Sequence, residues 1–462
     1  MVGATREGAE LLGHIGRWAA EVAAEPLSDE VAHDAIRATV DWFSATLPGA
    51  RMEPARRLEA GLARDGLSQG EALLLTSHRR SGARVAALVN GTASHTAELD
   101  DIFRDGIYHP GSPTVAAALA LAQQLGRSGE ELLAAVTIGF EVSTRIAAAI
   151  QPAHYRYWHT TGTIGTLGAA AAGAALLRCD GEQTAHAIAT STTMAAGLQQ
   201  AFRSDAMSKP LHAGHAADAG LLAALPASEG FTGALDILDG EAGLSHAMSD
   251  GPSFAEVFAD LGERWNIGRM TIKNHASCGH TFAAVDGAVE LRETHDLDPA
   301  DIASIDVGTY GVVLKVAGHP DPQTAFEGRF SLPFCVASAF VRGSVRLDAF
   351  DDEALVHPET RRLVSSTTAS VDPDFDASFP GQRAARVTVR TTDGRTLETT
   401  RLTRKGDPDD PLTDDELKDK YDELAVPILG ADGAATLGDR LWGLRQVDDV
   451  RDLIPATSTE QS

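Results

Sequence analysis

Residues 109–126 read His-Pro-Gly-Ser-Pro-Thr-Val-Ala-Ala-Ala-Leu-Ala-Leu-Ala-Gln-Gln-Leu-Gly. This stretch predicts an α-helix, because Ser112 suits the N-cap, Pro113 suits the first helical position, and helix formers follow up to Gly126. The first turn of a helix carries unpaired N–H groups and a partial positive charge, so it attracts carboxylates. His109 stands directly before this helix, where an imidazole can move protons on a bound acid.

Two further segments repeat this arrangement. His159 precedes a predicted helix at 164–177, and Lys209 and His212 open another, predicted at 215–224. Each segment places hydroxyl or backbone donors at a helix start, with a base or a cation beside them. We expect the three helix starts to converge on one cleft that suits a small molecule with two or three carboxylates.

The composition is that of a folded protein with more than one domain. The chain has 462 residues, of which 43% are hydrophobic and 23% charged. A chain of this length is too long to fold around a single hydrophobic core, so we expect two or more domains. Its net charge of −26 argues against nucleic acid as a partner, since phosphate binding needs clustered Lys and Arg. An anionic substrate would have to be held by local positive charge against the overall field.

Cysteine use and hydropathy predict the compartment. Cys179, Cys278 and Cys335 are far apart and show no metal-ligand spacing, which favours a reducing environment without disulfides. The N-terminus lacks the pattern of a secretory signal. The apolar run at 164–177 is short and rich in Ala and Gly, so it predicts a buried helix and no membrane span. We therefore expect a cytoplasmic protein.

The chain changes character near Trp265. Residues 1–268 read as almost entirely helical, with a Gly162, Gly165 and Gly168 stripe that lets another helix approach closely. Helices in this part are predicted at 9–24, 28–47, 53–63, 83–98, 114–125, 129–150, 164–177, 182–199 and 215–224.

The second part predicts an α+β domain. Strands are expected at 303–309, 365–371, 385–391 and 396–402, and helices at 282–295, 331–341 and 358–365. Asp393-Gly394 is a hairpin signal between the last two strands. Residues 405–412 read as a linker, after which helices at 413–424 and 433–444 return to the first domain. The predicted fold is mainly α: a large all-helical domain, 1–268 with 406–455, and a smaller α+β domain, 269–405.

Six segments, in their order along the chain, carry a resemblance to a known family. They are Asn90-Gly91 with His95, Glu98, Asp100 and Asp101; His109-Pro110-Gly111; His159 with the glycines after it; Lys209 to Gly214; Lys273 with Ser277, Cys278 and Asp286; and Glu327 to Phe334. This series resembles the MmgE/PrpD family over roughly residues 10–450. The resemblance implies a helical domain with an α+β lid, homodimers, and no metal or organic cofactor.

The family's site residues can be transferred where this chain matches the motifs. The resemblance implies catalytic or substrate-binding roles for His109, His159, Lys209 and Lys273. It implies pocket-lining roles for Asp101 and the loop after it. As substrate-binding residues we also predict Glu98, Thr163, His212, Cys278 and His280. The chain departs from many members in having Phe282 four residues after Cys278, with His280 two residues before it, and Glu98 where some relatives have Asp.

The family's reactions share proton transfer at a carbon next to a carboxylate. Its members include 2-methylcitrate dehydratase, cis-aconitate decarboxylase and iminodisuccinate epimerase. We predict a cofactor-independent hydro-lyase of the first kind, acting on a small anionic di- or tricarboxylic acid. An epimerase or isomerase is the nearest alternative, a decarboxylase the next, and a non-catalytic carboxylate-binding protein the alternative from another class. The departures weaken the decarboxylase reading in particular.

Several of these residues also have plain structural readings. His95 suits a packed, hydrogen-bonded residue as well as a functional one, and Asp100 and Asp101 suit partners that orient a histidine or a lysine. Cys278 reads as a small packed residue, since nothing in the sequence indicates a depressed pKa of its thiol. The scattered histidines match no metal motif, so we predict no metal site.

Overall fold

The chain divides into two units in a computed structural model that describes residues 6–203, 206–379 and 381–454. One unit is Met1–Thr271 with Thr413–Ser462, and the other is Ile272–Leu412. The mainly helical character predicted from the sequence is confirmed.

The first unit is built from helices and one short strand pair. Its helices up to residue 271 are α1 Arg6–Ala24, α2 Asp29–Gly49, α3 Glu53–Leu62, α4 Ala83–Ser94, α5 Gly111–Leu125, α6 Gly129–Ala149, α7 Thr160–Leu176, α8 Gly181–Thr192, α9 Ser208–Ala227 and α10 Leu244–Met248. The antiparallel strands β1 Ala72–Leu73 and β2 Arg80–Ser81 interrupt this series, so the prediction of an almost entirely helical first part missed them.

The second unit combines helices with a four-stranded sheet. Its elements are α11 Phe282–His295, β3 Ile302–Thr309, α12 Gly311–Val316, α13 Ala325–Arg329, α14 Leu332–Arg342, α15 Asp352–Val356, α16 Pro358–Ser365, β4 Thr367–Val371, α17 Pro373–Ser378, β5 Ala385–Thr391 and β6 Thr396–Arg401. The strand order is β4-β3-β5-β6, with β3 and β4 parallel and the other pairs antiparallel. Gly394 adopts a positive φ of 89° in the β5–β6 turn, as its hairpin signal predicts.

Helix α7 lies in the core of the first unit and is buried along nearly all its length. Neighbouring helices approach it closely because it consists mostly of Gly, Ala and Thr. A Cβ added to Gly162 would stand 3.1 Å from a side chain of α9, one on Gly165 2.6 Å from α5, and one on Gly168 2.9 Å from α6. The single stripe predicted for one partner is therefore wrong, because residues three apart are rotated by about 60° around a helix.

Two helices end earlier than the sequence predicts. Helix α4 ends at Ser94 and not at residue 98, since the chain turns at His95 and Glu98 has a positive φ of 58°. Helix α8 ends at Thr192 and not at residue 199, and the Ser191 and Thr192 hydroxyls both donate to the Ile188 carbonyl in its last turn.

Helix starts also lie earlier than predicted. Helix α9 begins at Ser208, seven positions before the predicted start, because Pro210 falls in the first turn, where its missing N–H has no helical partner to lose. Helix α5 begins at Gly111, directly after Pro110. Ser112 is therefore inside the helix, and its hydroxyl donates to a carboxylate instead of capping the helix.

The segment predicted as a linker belongs to the second unit. The buried Arg404 guanidinium makes two hydrogen bonds to the Asp407 carboxylate, at 2.9 and 2.6 Å, and donates to the Gly279 carbonyl. The Lys405 N–H donates to Asp286 in α11. The linker prediction is wrong because Arg404 and Asp407, whose charges suggest exposure to solvent, form a buried ion pair.

Helix α18, Asp414–Trp442, returns the chain to the first unit and is kinked at Gly430, where φ is 73°. The two helices predicted here are the two sides of this kink. A buried lysine, Lys420, lies on its apolar face. The Lys420 ammonium donates to Asp41 of α2 at 2.5 Å and to the Leu99 carbonyl at 3.1 Å. The ion pair thus fixes the C-terminal helix to α2, and the second hydrogen bond fixes it to the segment that follows α4.

Helix α6 is long and apolar enough to cross a membrane by length and composition. Most of its apolar window, 89%, is buried inside the protein, as in the core helix of a folded domain. The apolar run that the sequence analysis considered as a membrane span, 164–177, corresponds instead to α7.

Replacing the buried lysine will destabilise the first unit. We expect Lys420→Met to lower the free energy of unfolding by about 3 kcal/mol or more, because the variant removes the ammonium that faces the buried Asp41 carboxylate. Lys418→Met, on a half-exposed side chain of the same helix, serves as the matched control and should change it by about 0.5 kcal/mol or less. Urea titration of both variants checks this, and equal stability of the two would contradict the account.

Candidate active site

The carboxylate of Asp100 joins two histidines to the start of α5. Its Oδ2 atom accepts a hydrogen bond from His95 Nδ1 at 2.6 Å and one from the Ser112 hydroxyl at 2.9 Å. His109 Nδ1 lies 3.2 Å from the same oxygen, at ion-pair distance. Because Asp100 is only 1% exposed, these contacts are made away from solvent.

His95 is a neutral, buried imidazole. Its Nδ1 must carry a proton, because the carboxylate oxygen that it contacts only accepts. Its Nε2 has no hydrogen-bond partner among the described residues. Burial lowers the pKa of His95 to about 4, against the opposing effect of Asp100, and the Lys209 and His109 charges lower it further.

His159 and His212 form a second pair. His159 is the N-cap of α7 and His212 lies in α9, and their Nδ1 atoms are 3.0 Å apart. One nitrogen must donate and the other accept, so the contact is lost if both carry a proton there. Burial lowers the pKa of His159 well below its ordinary value, with the positive charges around it as further causes. Burial, followed by His215 and Lys209, also lowers the pKa of His212.

The four imidazoles form one row. Ring centroids are 4.9 Å apart for His109 and His95, 5.4 Å for His95 and His159, and 5.2 Å for His159 and His212. The three helix starts identified in the sequence therefore meet in the first unit. The sequence does not decide whether His95 has a packing or a functional role, and its contacts with both His109 and His159 were not predicted. Its spacing of five residues before Asp100 was the available signal.

Lys209 stands in the first turn of α9 and forms an ion pair with Glu98. A lysine at a helix N-terminus is unfavourable beside the helix dipole unless an anion is near. The Glu98 carboxylate is such an anion, and contact of Lys209 with a substrate stays a prediction. Both side chains are about one-fifth exposed, at 17% and 20%. The left-handed backbone at Glu98 turns this carboxylate toward the helix start.

Two predicted substrate-binding residues use their polar atoms inside the protein. The Gly111 N–H donates to both carboxylate oxygens of Asp101, at 3.0 and 3.2 Å. The anion-attracting start of α5 is thus occupied by the protein's own carboxylate. The buried Thr163 hydroxyl lies 2.7 Å from His154 Nε2. Contact of either residue with a substrate stays a prediction.

The remaining predicted residues lie in the second unit. Lys273 is buried, Cys278 is half-buried, and His280 Nδ1 contacts the Tyr310 hydroxyl at 2.7 Å. Burial, with the charges of two arginines, lowers the pKa of His280 to about 3. The roles predicted for these three residues stay predictions.

The sequence analysis missed a histidine–carboxylate pair in the second unit. His275 Nε2 lies 2.8 Å from the Asp286 carboxylate, and both side chains are buried. The same carboxylate accepts the Lys405 N–H, which holds it in place. Its signal was the position of His275 between Lys273 and Cys278.

Among the described residues, His95, Asp100 and His109 bring three donor atoms within 4.8 Å of one another, the spacing of a possible metal site. The contacts of these three residues fit a hydrogen-bonded cluster better than a metal site. Asp100 Oδ2 already accepts from His95 and Ser112, and a metal ion would have to displace both hydrogen bonds.

Comparison with known proteins gives the family. The sequence matches the MmgE/PrpD N-terminal domain over residues 13–257 and the MmgE/PrpD C-terminal domain over residues 275–442. The chain belongs to the MmgE/PrpD family. The resemblance found in the sequence motifs is confirmed.

Curated members of the family are similar to this chain along most of its length. The cis-aconitate decarboxylase-like protein oryM of Aspergillus oryzae (strain ATCC 42149 / RIB 40) is 28% identical over 96% of both chains. The cis-aconitate decarboxylase of Homo sapiens is 27% identical over 79% of this chain and 77% of its own. That of Mus musculus is 26% identical over 79% and 76%. These relatives are enzymes or enzyme-like proteins of one family.

Buried neutral histidines make stability depend on pH. His154 donates from Nδ1 to the Met248 carbonyl, and burial lowers its pKa to about 4. The unfolded chain takes up a proton on this residue below its ordinary pKa of about 6.5, whereas the folded chain does so only near 4. The stability that the neutral ring contributes is present above that ordinary value and is lost as the pH falls toward 4.

We expect His154→Gln to reduce this pH dependence. Each such histidine adds about 1.4 kcal/mol per pH unit to the slope of unfolding free energy between about pH 6 and 4.5. Urea unfolding across that window should therefore give a shallower slope for the variant than for the wild type. An unchanged slope would contradict this, because it would show that His154 has the same pKa in the folded protein as in the unfolded chain.

Proposed function

We propose that this protein is a cofactor-independent lyase that removes water from a small di- or tricarboxylic acid, in the manner of 2-methylcitrate dehydratase. The proposal is supported chiefly by the row of His109, His95, His159 and His212 beside the Asp100 carboxylate. Family membership supports an enzyme, and the relatives' printed names support a carboxylic acid as substrate.

The chemistry begins with a base. Loss of water from a hydroxy acid needs an unprotonated group to take the proton from the carbon next to a carboxylate. Neutral imidazoles meet this need, and burial keeps the pKa of His159 low enough for it to be neutral in the resting site. The charge of a bound polycarboxylate then favours the protonated imidazole, so substrate binding itself strengthens the base.

A second group must protonate the departing hydroxide. His109 and His159 both lie against the His95 ring and can divide the two tasks. The developing negative charge on the substrate carboxylate is stabilised by the Lys209 ammonium and by N–H groups at helix starts. In the second unit, Lys273 remains a predicted catalytic residue, with Cys278 and His280 as predicted binding residues.

Decarboxylation is the second candidate, and the names of the relatives favour it. The two reactions make opposite first demands on the site. Dehydration takes a proton from the substrate, whereas decarboxylation ends by giving one to the carbon that lost carbon dioxide. The lowered pKa values of His159 and His212 favour a resting site whose imidazoles are unprotonated and have no proton to give to the carbon, so we place dehydration first.

Incubation in heavy water separates the candidate functions. The protein is mixed with methylcitrate, citrate or cis-aconitate, and the products are followed by NMR. Deuterium exchange with loss of water supports the dehydratase, whereas release of carbon dioxide replaces it with the decarboxylase. Exchange with inversion alone indicates an epimerase, and no exchange on any acid favours the carboxylate-binding protein.

We further propose that the enzyme acts in the cytoplasm as a homodimer.

Replacement of His159 tests the role of the imidazole row. We expect His159→Gln to lose about tenfold or more in turnover, because the amide cannot accept the substrate proton. His186→Gln, on a partly buried histidine of α8 outside the row, is the matched control and should retain turnover. Melting temperatures of both variants show that they are folded. Wild-type turnover in His159→Gln would remove His159 from the mechanism.

A further inference from the structure

We propose that His95 is a positioning residue of this site, which holds the Asp100 carboxylate in the place from which it orients His109. The side chain of His95 is fully buried, at 0% exposure, so it acts through Asp100 and not by touching a substrate. This inference rests on the proposed proton-transfer function. It assigns a role to a residue that the mechanism above leaves without a task.

Two hydrogen bonds and one ion-pair contact meet at the Asp100 carboxylate. Three groups approach one oxygen, Oδ2: the His95 ring at 2.6 Å, the Ser112 hydroxyl at 2.9 Å and the His109 ring at 3.2 Å. The His95 contact is the shortest of the three. Without it, the carboxylate can rotate toward the remaining donors, and the oxygen leaves its place beside His109.

The orientation of His109 follows from this carboxylate. His109 Nδ1 lies 3.2 Å from Asp100 Oδ2, at ion-pair distance but outside hydrogen-bond geometry. The carboxylate attracts a proton to this nitrogen, which leaves Nε2 as a proton acceptor. When His109 gains a proton, the nearby carboxylate stabilises the imidazolium. His95 stays neutral during this step, because burial lowers its own pKa to about 4. The Asp100 carboxylate therefore stabilises one cation, the imidazolium of His109.

Two amide substitutions separate positioning from packing. In His95→Asn the side-chain N–H₂ lies near the place of the imidazole Nδ1, so it can still donate to Asp100. In His95→Gln the amide lies near the place of Nε2, one bond further out, and that donor is lost. Both variants introduce a neutral polar amide at a buried site and differ chiefly in which imidazole nitrogen they imitate.

The first measurement is turnover of the acid that the wild type converts in the heavy-water assay. We expect His95→Gln to lose about tenfold or more in kcat with little change in KM, and His95→Asn to recover most of that loss. Melting temperatures confirm folding of both variants. Wild-type kcat in His95→Gln, or equal losses in the two folded variants, would overturn the proposal.

The second measurement needs no substrate. In protein labelled with ¹⁵N-histidine, the His109 signals are identified by their loss in His109→Gln. We expect the His109 ring-nitrogen shifts to move in His95→Gln and to stay near the wild-type values in His95→Asn. If the wild type converts no acid, the proposed function fails, and these shifts alone decide the positioning role. Unchanged His109 shifts in His95→Gln would overturn it.

Discussion

The hydrogen bonds to one oxygen of Asp100 tie together the elements that make the candidate site. They connect the end of α4, through His95, with the first turn of α5, through Ser112, and His109 lies at ion-pair distance from the same oxygen. The segment before Asp100 is fixed in turn by Lys420 of α18, which donates to the Leu99 carbonyl. The site therefore depends on the C-terminal helix as well as on the N-terminal part of the chain.

The charge balance of the site is unlike that of the whole protein. The chain carries a net charge of −26, yet burial lowers the pKa values of His95, His159 and His212, and Lys209 is paired with Glu98. A bound polycarboxylate brings the negative charge that this row lacks. Protons can then move onto the imidazoles at a cost that the substrate itself lowers. Burial leaves these imidazoles unprotonated in the resting site, so their protonation depends on the charge that binds beside them.

Much of the fold could be predicted because it follows local rules. The helix that ends at Gly126 and the β5–β6 hairpin at Gly394 have their predicted turn residues in left-handed conformations. The errors arose where tertiary contacts override such rules. Ser112 looks like an N-cap but donates to Asp100, and the charged segment at Arg404 looks solvated but is buried.

The site could be predicted only in part for the same reason. Helix starts at His109, His159 and Lys209 are visible in the sequence, and so is their family resemblance. The position of His95 between two other rings is not, since no local pattern reports which distant imidazoles lie against it. The pairing of Lys209 with Glu98 was not predicted, because the two residues lie more than a hundred positions apart in the chain and only the fold brings them together.

The claim that His95 and His159 are buried imidazoles held neutral in the folded protein is tested most directly by titrating the histidines by NMR. The account predicts that the His95 ring stays neutral, with Nδ1 protonated and Nε2 bare, until the pH approaches its lowered pKa of about 4. The His159 ring should likewise take up a proton well below its ordinary pKa. Titration of both rings near the ordinary value of about 6.5 would contradict the account.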